Sequence, residues 1–152
     1  MNEKLRIEKM KASDIDAVYA LELDVYADDP SPVEWFIDGV KSETAFYFVA
    51  YYGDELVGYC GIYLNTSVSP NYCKIGTIVV NQRFRTRGIG TALMEKMFAI
   101  AQENKINRIK LEVSTKNNAV ALYSKLGFQI EETIKNFYDE INEDAYVMWR
   151  YS

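Results

Sequence analysis

The chain has 152 residues, of which 49% are apolar, and its 17 basic and 22 acidic side chains leave a net charge of −5. This length and apolar content predict a single domain, residues 1–152, with enough material for a hydrophobic core. The acidic balance argues against nucleic-acid binding, and the absence of histidine argues against a zinc site, so we expect no metal. The first residues form no apolar leader, and no apolar run could span a bilayer, so we expect a soluble, cytoplasmic protein without membrane contact.

The chain opens with a predicted strand followed by a predicted helix. Leu5 and Ile7 alternate with charged residues, as in a half-buried strand. Ser13, followed by acidic residues, is expected to begin a helix that Ala27-Asp28-Asp29-Pro30 ends. The apolar face of this helix is predicted to comprise Ile15, Val18, Tyr19 and Leu23.

The second helix is predicted from the sequence Ser-Pro-Val-Glu at residues 31–34. This pattern is typical of a capping box with proline at the first helical position, and the helix should continue to Val40. We expect Trp35 and Phe36 to dock onto the core rather than to bind a ligand.

The middle of the chain predicts a hairpin, a central strand and a long helix. Strands over Ala45–Tyr52 and Leu56–Leu64 flank a Gly-Asp turn. A strand over Tyr72–Val80 then leads through a glycine-containing loop into a helix over Ile89–Glu103, whose apolar residues recur at helical spacing.

The last third predicts a strand over Arg108–Ser114, a helix and two further strands. The helix should begin at Asn117 or Asn118 and end at Leu126, with Gly127 in the left-handed stop position. The final strands are expected over Phe128–Lys135 and Asp144–Tyr151, with a polar loop between them. This order predicts an α/β protein, with a central mixed sheet of about seven strands flanked by four helices.

The loop before the long helix reads V-N-Q-R-F-R-T-R-G-I-G-T from Val80 to Thr91. Gly88 and Gly90 leave the backbone uncovered where the helix begins, and the first N–H groups of a helix are unpaired and partly positive. Three arginines add charge in the same loop. The loop therefore predicts a phosphate or pyrophosphate site.

Several interpretations compete for this loop. A nucleotide P-loop would need a lysine after the second glycine, and a dinucleotide fingerprint would need glycine at the position of Leu93, so the sequence matches neither. A third pattern, [RQ]-x-x-G-x-[GA] after a strand, is matched by Arg85, Gly88 and Gly90. The alternative without a ligand is a basic loop that caps an ordinary amphipathic helix.

The third pattern resembles the coenzyme A pyrophosphate loop of the GCN5-related N-acetyltransferase (GNAT) superfamily. Residues Ile109–Phe128 read I-K-L-E-V-S-T-K-N-N-A-V-A-L-Y-S-K-L-G-F, which is similar to a signature of protein N-terminal acetyltransferases. The likeness is greatest to bacterial ribosomal-protein alanine acetyltransferases and archaeal N-terminal acetyltransferases. Asn136-Phe137-Tyr138 and the sequence E-D-A-Y-V-M at residues 143–148 resemble an aromatic loop and a strand of the same branch.

The resemblance implies the GNAT fold and direct transfer of an acetyl group from acetyl-CoA to an amine. It also implies which residues contact acetyl-CoA: Ile78, Val79, Val80, Arg85, Thr86, Arg87, Gly88, Ile89, Gly90, Thr91, Asn117 or Asn118, and Tyr123. The stretch from Glu112 to Tyr123 is one residue shorter than in the family, so either asparagine can contact the pantetheine arm. A histidine that some archaeal relatives carry near the thioester aligns near Lys74, so base chemistry must come from elsewhere.

By the same resemblance, Glu112 is the candidate base and Tyr123 the candidate acid. The alternatives are a salt-bridged strand residue for Glu112 and a packing aromatic for Tyr123. Cys73 is an unfavourable nucleophile because no histidine is present to activate it. Cys60 and Cys73 could form one disulfide, but nothing in the sequence suggests secretion.

The acceptor is expected to be the N-terminal amine of a protein or peptide, bound by a monomer or homodimer. The resemblance assigns the acceptor walls to the loop over Tyr26–Pro32 and the loop after Lys135. Tyr138 would hydrogen-bond the acceptor, and Asp28 or Asp29 would attract its ammonium group. Two other functions stay open: a small-molecule acetyltransferase acting on a polyamine or amino sugar, and a non-catalytic acyl-CoA sensor.

Overall fold

The computed structural model describes residues 4–152, without the side chain of Glu140. The prediction that the chain has no leader segment depends partly on residues 1–3, which lie outside the described residues. The strands are β1 Leu5–Lys9, β2 Ala45–Tyr52, β3 Glu55–Asn65, β4 Tyr72–Val80, β5 Arg108–Ser114, β6 Gln129–Tyr138 and β7 Glu143–Tyr151. The helices are α1 Ile15–Val25, α2 Val33–Lys41, α3 Ile89–Glu103 and α4 Ala119–Lys125. None of these helices is long and apolar enough to cross a membrane.

The seven strands are hydrogen-bonded in the order β1-β2-β3-β4-β5-β7-β6. β4 and β5 pair in parallel, whereas β1 with β2, β2 with β3, β5 with β7 and β6 with β7 pair antiparallel. The predicted order of elements and the mixed α/β fold class are confirmed. The bounds predicted for β2, β4, α3 and β5 are also those observed.

Contacts divide the chain into two compact units. The first runs to Leu64 and resumes over Ile75–Ile100, and the second comprises Asn65–Lys74 and Ala101–Ser152. The first unit has an apolar core to which α1, α2 and the strands β2 to β4 contribute. Its buried members are Met10, Ile15, Val18, Leu21, Phe36, Ala45, Tyr47, Val49, Leu56, Tyr59 and Val79.

Helix α1 presents most of the predicted face to this core, because Ile15 and Val18 are buried and Tyr19 packs against it, but the prediction is wrong for Leu23. Leu23, expected inside, is 42% exposed, whereas Leu21 and Glu22 are buried. The reason is helical geometry, because positions three and four residues beyond Val18 share its face and a position five beyond does not. The helix also begins at Ile15 after a 3-10 turn over Ala12–Asp14, rather than at Ser13.

The predicted capping box of α2 is wrong. Pro32 is the N-cap residue with extended backbone (ψ 138°), and no side chain caps the helix. The Ser31 backbone N–H donates to the Glu22 carboxylate at 2.7 Å, which holds this residue outside the helix. Phe36 is buried as predicted, but Trp35 is 59% exposed, because adjacent helical positions point about 100° apart.

The core of the first unit contains a tyrosine packed between two glycines. Tyr47 on β2 lies with one ring edge against Gly39 of α2 and the other against Gly61 of β3. A Cβ added at Gly39 would overlap the ring, and one added at Gly61 would lie 2.6 Å from it. The Tyr47 hydroxyl is hydrogen-bonded to that of Tyr63, so the ring is held at its far end as well.

The second unit is built on β5, β6 and β7. Ile109, Leu111 and Val113 are buried as predicted, and Gly127 has the predicted left-handed backbone, with φ 100°. β6 continues to Tyr138, so the expected loop after Lys135 is part of a strand. The strand is irregular there.

The irregularity lies between Ile134 and Tyr138, where the pairing of β6 with β7 shifts register. Asn136 has a left-handed backbone (φ 56°), and its N–H donates to the Asp144 carboxylate at 2.7 Å. The bulge therefore keeps the hairpin paired while changing the direction of the chain. Gly and Asn favour such positions, but a strand that resumes after Lys135, Asn136 and Phe137 leaves little sequence signal.

We predict that Gly39→Ala destabilises the protein, although alanine is the better helix former by about 1 kcal/mol. The added methyl group would overlap a tyrosine ring that cannot retreat towards Gly61. We expect a net loss of about 1–3 kcal/mol in the free energy of unfolding, measured by urea titration. Repeating the change in a Tyr47→Leu background should remove most of this loss, and a stabilised single variant would contradict the packing described.

Candidate active site

A 3-10 turn follows β4 and fixes the start of the glycine-containing loop. The turn spans Gln82–Phe84, and the Asn81 side-chain oxygen accepts the backbone N–H of Arg83 at 3.0 Å. The Asn81 N–H donates in turn to the Val57 carbonyl at 2.8 Å. The loop therefore leaves the sheet from a position that β3 holds in place.

The loop then enters α3 through two residues with left-handed backbone. Thr86 has φ 66° and Gly88 has φ 79°. The Gly88 carbonyl accepts the N–H of Ala92 at 3.0 Å, so Gly88 immediately precedes the first turn of α3. The N–H groups of residues 89–91 belong to that turn, where a helix provides no acceptors of its own. A helix start with partial positive charge is thus present where the sequence predicted it.

The three arginines of the loop are engaged differently. Arg83 forms a 2.5 Å ion pair with Glu55. The Arg85 guanidinium donates to a backbone carbonyl at 3.3 Å, and that of Arg87 lies 5.0 Å from the centre of the Phe84 ring. Within residues 4–152, neither Arg85 nor Arg87 is in an ion pair, so both keep charge for an anion.

Gly88 also meets the steric requirement of a ligand-binding backbone. A Cβ built at Gly88 would have no other atom within 4 Å, whereas those at Gly39, Gly58 and Gly61 would collide with neighbours. Gly88 is therefore not needed for packing within the protein. Its open side is where a phosphate could approach the backbone.

The end of β4 supplies the strand segment assigned to acetyl-CoA. Val79 is buried in the core of the first unit, and Ile78 and Val80, on its two sides, are partly exposed. A Cβ at Gly58 would lie 2.9 Å from the Val79 carbonyl oxygen, so glycine allows β3 to approach this segment closely. The segment is thereby held rigidly from one side.

Glu112, the candidate base, lies in a cluster of charges in the second unit. Its Oε1 is 2.8 Å from the Lys74 ammonium and its Oε2 is 3.5 Å from that of Lys110. The parallel register of β4 and β5 sets Lys74 opposite Lys110, a pair that would repel without the carboxylate. The Glu112 side chain is 13% exposed, whereas those of Lys74 and Lys110 are 41% and 26% exposed, so the pairs lie where the interior meets solvent.

Tyr123, the candidate acid, lies on α4 and is 7% exposed. Its ring packs edge-on against Phe128, with centroids 6.1 Å apart, and its carbonyl accepts the Phe128 N–H at 3.0 Å. The packing role considered for this residue is therefore present. At the other end of α4, Asn118 occupies the N-cap position, but it is the Asn117 side chain that accepts the Ala119 N–H, at 2.8 Å.

The residues assigned to the acceptor lie in different units. Tyr138 ends β6 opposite Glu143, and its ring packs edge-on against Phe137 at 4.9 Å. Asp28 and Asp29 are exposed in the segment between α1 and α2, where the Asp29 N–H donates to the Tyr26 carbonyl at 3.1 Å.

The cysteines offer no nucleophile. Cys60 and Cys73 are free thiols, and both side chains are buried. Burial raises the pKa of the Cys73 thiol to about 11, and it raises the pKa of Cys60 as well. Little reactive thiolate is therefore present near neutral pH.

Sequence reasoning missed two features of the site. Lys74 was noted only as the position of a family histidine, although its alternation with buried Cys73 and Ile75 places it on the polar side of β4. Glu22 was not singled out, although it is four residues beyond Val18 and so shares the buried face of α1.

No group of three or more His, Cys, Asp or Glu within residues 4–152 could hold a metal ion.

Comparison with known proteins places these features in a family. A model described as the acetyltransferase (GNAT) family matches residues 12–128. The chain therefore belongs to the GNAT acetyltransferase family, which confirms the predicted class of enzyme, an acyltransferase that uses acetyl-CoA.

The similar proteins include N-terminal acetyltransferases. An N-alpha-acetyltransferase of Sulfurisphaera tokodaii is 30% identical, over 96% of this chain and 92% of its own length. The N-alpha-acetyltransferase RimI of Mycobacterium tuberculosis is 32% identical, over 97% and 93%. The solved structure of Arabidopsis thaliana Naa50 in complex with the bisubstrate analogue CoA-Ac-MVNAL has a TM-score of 0.82 and 25% identity, over 97% of this chain and 99% of that one.

Proposed function

We propose that this protein transfers the acetyl group of acetyl-CoA to the N-terminal α-amine of a protein or peptide. The observation that carries the proposal is the loop before α3, in which left-handed Gly88 exposes backbone at a helix start directly after Arg85 and Arg87, neither of which is in an ion pair with a described side chain. The choice of acceptor is supported by the full-length similarity to two N-alpha-acetyltransferases and by the peptide-bearing analogue bound to Naa50.

Acetyl-CoA would be held by the loop and by the end of β4. The pyrophosphate would accept hydrogen bonds from the backbone N–H groups of Ile89, Gly90 and Thr91. Arg85 and Arg87 would balance its negative charge. A backbone N–H of the Ile78–Val80 segment would polarise the thioester carbonyl. Asn117 is the better placed of the two asparagines to organise the α4 start, which leaves the Asn118 side chain for the pantetheine arm.

The charges around Glu112 favour an α-amine as nucleophile. Two ammonium groups and one carboxylate give the cluster a net positive charge, which repels an ammonium and accepts a neutral amine. An α-amine has a pKa of about 8 and a lysine amine one of about 10.4, so the neutral form is roughly 250-fold more abundant for the α-amine. Asp28 or Asp29 would attract the ammonium form before it loses its proton.

Glu112 would take that proton through a water molecule. A carboxylate has about four lone-pair sites, so the contacts with Lys74 and Lys110 leave acceptor capacity on both oxygens. The two ammonium groups hold the side chain in one orientation, which is what a base at the end of a short proton relay requires. The proton then passes to solvent.

Tyr123 would supply a proton to the departing thiolate. When the amine nitrogen bonds to the acetyl carbon, the carbon–sulfur bond breaks and the sulfur takes up one proton. A phenol with a pKa near 10 can donate this proton, or stabilise the thiolate by a hydrogen bond. The amide nitrogen loses its remaining extra proton, which restores the phenol. Burial of Tyr123 would keep competing water away.

The acceptor would contact the segment Tyr26–Pro32 and the bulged end of β6, where Tyr138 would hydrogen-bond its first peptide units. A cytoplasmic location, a single domain over residues 1–152, a monomer or homodimer, and the absence of nucleic-acid and membrane partners stay predictions.

The proposed acceptor can be tested with a panel of amines. We expect an Ala- or Ser-starting peptide to be acetylated by this protein with acetyl-CoA, as measured by mass spectrometry. The same peptide with a blocked α-amine should not react, even when it contains an internal lysine. Equal acetylation of the blocked peptide, or preference for spermidine, would overturn the assignment in favour of a small-molecule acetyltransferase.

We predict that Gly88→Ala weakens acetyl-CoA binding about tenfold or more, because a methyl group would occupy the approach to the backbone. Calorimetry with acetyl-CoA measures the effect. Gly127→Ala is the matched control, because it also places a side chain at positive φ without a collision, the nearest atom being 3.5 Å away. Both should lose similar unfolding free energy, and equal affinities in the two variants would exclude Gly88 from the site.

A base role for Glu112 predicts that Glu112→Gln lowers kcat by about 10²-fold or more, whereas Lys74→Met retains the carboxylate and loses less. Glu112→Gln removes both ion pairs and leaves two lysines facing each other, whereas Lys74→Met removes only the 2.8 Å pair, so Glu112→Gln should lose more unfolding free energy. Steady-state kinetics with urea titration separates the two effects. Equal losses of kcat would reduce Glu112 to a structural ion-pair partner.

An acid role for Tyr123 predicts that Tyr123→Phe lowers kcat by about 10²–10⁴-fold while the affinity for acetyl-CoA changes little. The phenylalanine ring preserves the contact with Phe128, and a urea titration reports any loss of stability separately from the loss of kcat. Turnover within twofold of wild type, under conditions where chemistry limits the rate, would assign Tyr123 to packing alone.

A further inference from the structure

Two carboxylates are buried in the first unit, and both are bonded in the same way. Asp14 is 7% exposed and Glu22 is 2% exposed. Asp14 accepts the Tyr51 hydroxyl at 2.5 Å and the Lys11 backbone N–H at 2.8 Å. Glu22 accepts the Tyr59 hydroxyl on Oε1 and, on Oε2, the backbone N–H of Ser31 at 2.7 Å.

Neither carboxylate is paired with a lysine or arginine within residues 4–152. A buried carboxylate without a cation costs several kcal/mol unless hydrogen-bond donors replace the lost water. Glu22 occupies a position of α1 where an apolar side chain would pack beside Val18 and Leu21. Its presence therefore has to be explained by what its two oxygens hold.

Glu22 holds both ends of the segment between α1 and α2. Its backbone carbonyl accepts the Tyr26 N–H at 2.8 Å, and its side chain accepts the N–H of Ser31. The other oxygen is bonded to Tyr59, which is fully buried and packs edge-on against Phe36 of α2 at 5.6 Å. The segment is thus connected through one side chain to a fully buried residue of the core.

The negative charge of Glu22 also acts electrostatically on Tyr26, which belongs to this segment. The pKa of Tyr26 is raised, chiefly by burial and then by the nearby Glu22 carboxylate, with Arg85 opposing the shift. Asp14 does not hold the segment between α1 and α2, because its backbone partner, Lys11, precedes α1.

We propose that Glu22 is a positioning residue, which sets acceptor affinity by holding Tyr26–Pro32 in one conformation while touching neither substrate. The inference rests on the proposed function, in which this segment forms one wall of the acceptor site. Glutamine replaces Glu22 only in part, because its single acceptor oxygen can serve one of the two donors, and its NH₂ group can donate to the Tyr59 hydroxyl oxygen but not to the Ser31 N–H. Either the Tyr59 hydroxyl proton or the Ser31 N–H would lose its acceptor, and a bond kept to Ser31 would lose its charge assistance.

The test compares Glu22→Gln with Asp14→Asn, which breaks the same set of bonds outside the segment. We expect both variants to lose stability in urea titrations. Glu22→Gln should raise KM for an Ala-starting peptide about tenfold, the equivalent of one lost hydrogen bond, with kcat and acetyl-CoA affinity within about twofold of wild type. Asp14→Asn should leave KM unchanged. Hydrogen exchange of the Ser31 amide, followed by NMR, should accelerate in Glu22→Gln alone.

An unchanged KM in a folded, active Glu22→Gln variant, or an equal rise in Asp14→Asn, would overturn the inference while the proposed function stands. A wild-type protein that acetylates no peptide N-terminus would overturn the proposed function itself, and the inference with it. If Glu22→Gln does not fold, Ser31→Pro removes the N–H donor, although it also fixes φ at residue 31 and restricts Pro30, and it should raise KM in the same way. A folded Ser31→Pro variant with unchanged KM overturns the inference equally.

Discussion

Carboxylates withdrawn from water constrain this structure, because each must meet donors or cations that other parts of the fold supply. Glu22 is matched by the Tyr59 hydroxyl of β3 and by a backbone N–H ahead of α2. Glu112 on β5 is matched by the ammonium groups of Lys74 and Lys110. Because leaving such a group unmatched costs several kcal/mol, the partners are fixed together with the carboxylate. The same contacts that satisfy these charges therefore also place the segments around them.

A buried carboxylate that is hydrogen-bonded by neutral donors and one that is paired with ammonium groups can serve different purposes. A carboxylate bonded only to neutral donors, as in Glu22, serves as a fixed anchor for backbone. A carboxylate set between two ammonium groups, as in Glu112, is oriented and yet keeps lone pairs for a further partner. The loop before α3 differs from these carboxylates, because left-handed Gly88 leaves the backbone N–H groups at the start of α3 uncovered.

Much of the fold and part of the site were accessible from the sequence. Alternating and helical periodicities gave the bounds of β4, α3 and β5, because a half-buried strand or helix must carry its apolar side chains at a fixed period. The glycines of the loop before α3 were informative for a similar reason, since few residues tolerate φ 79°. The capping box at Ser31 failed, because a local pattern cannot reveal that a distant carboxylate claims the same backbone N–H.

The sequence by itself determined which elements form, their order, and the position of the basic glycine loop, because these follow from interactions between residues close in the chain. The tertiary structure alone decided which donors the Glu22 carboxylate meets, and the partners of Glu112. It also decided that β6 continues through a bulge to Tyr138. Charges and hydroxyls pair across distances that no local pattern records, since Lys74 and Glu112 meet only when β4 and β5 align in parallel.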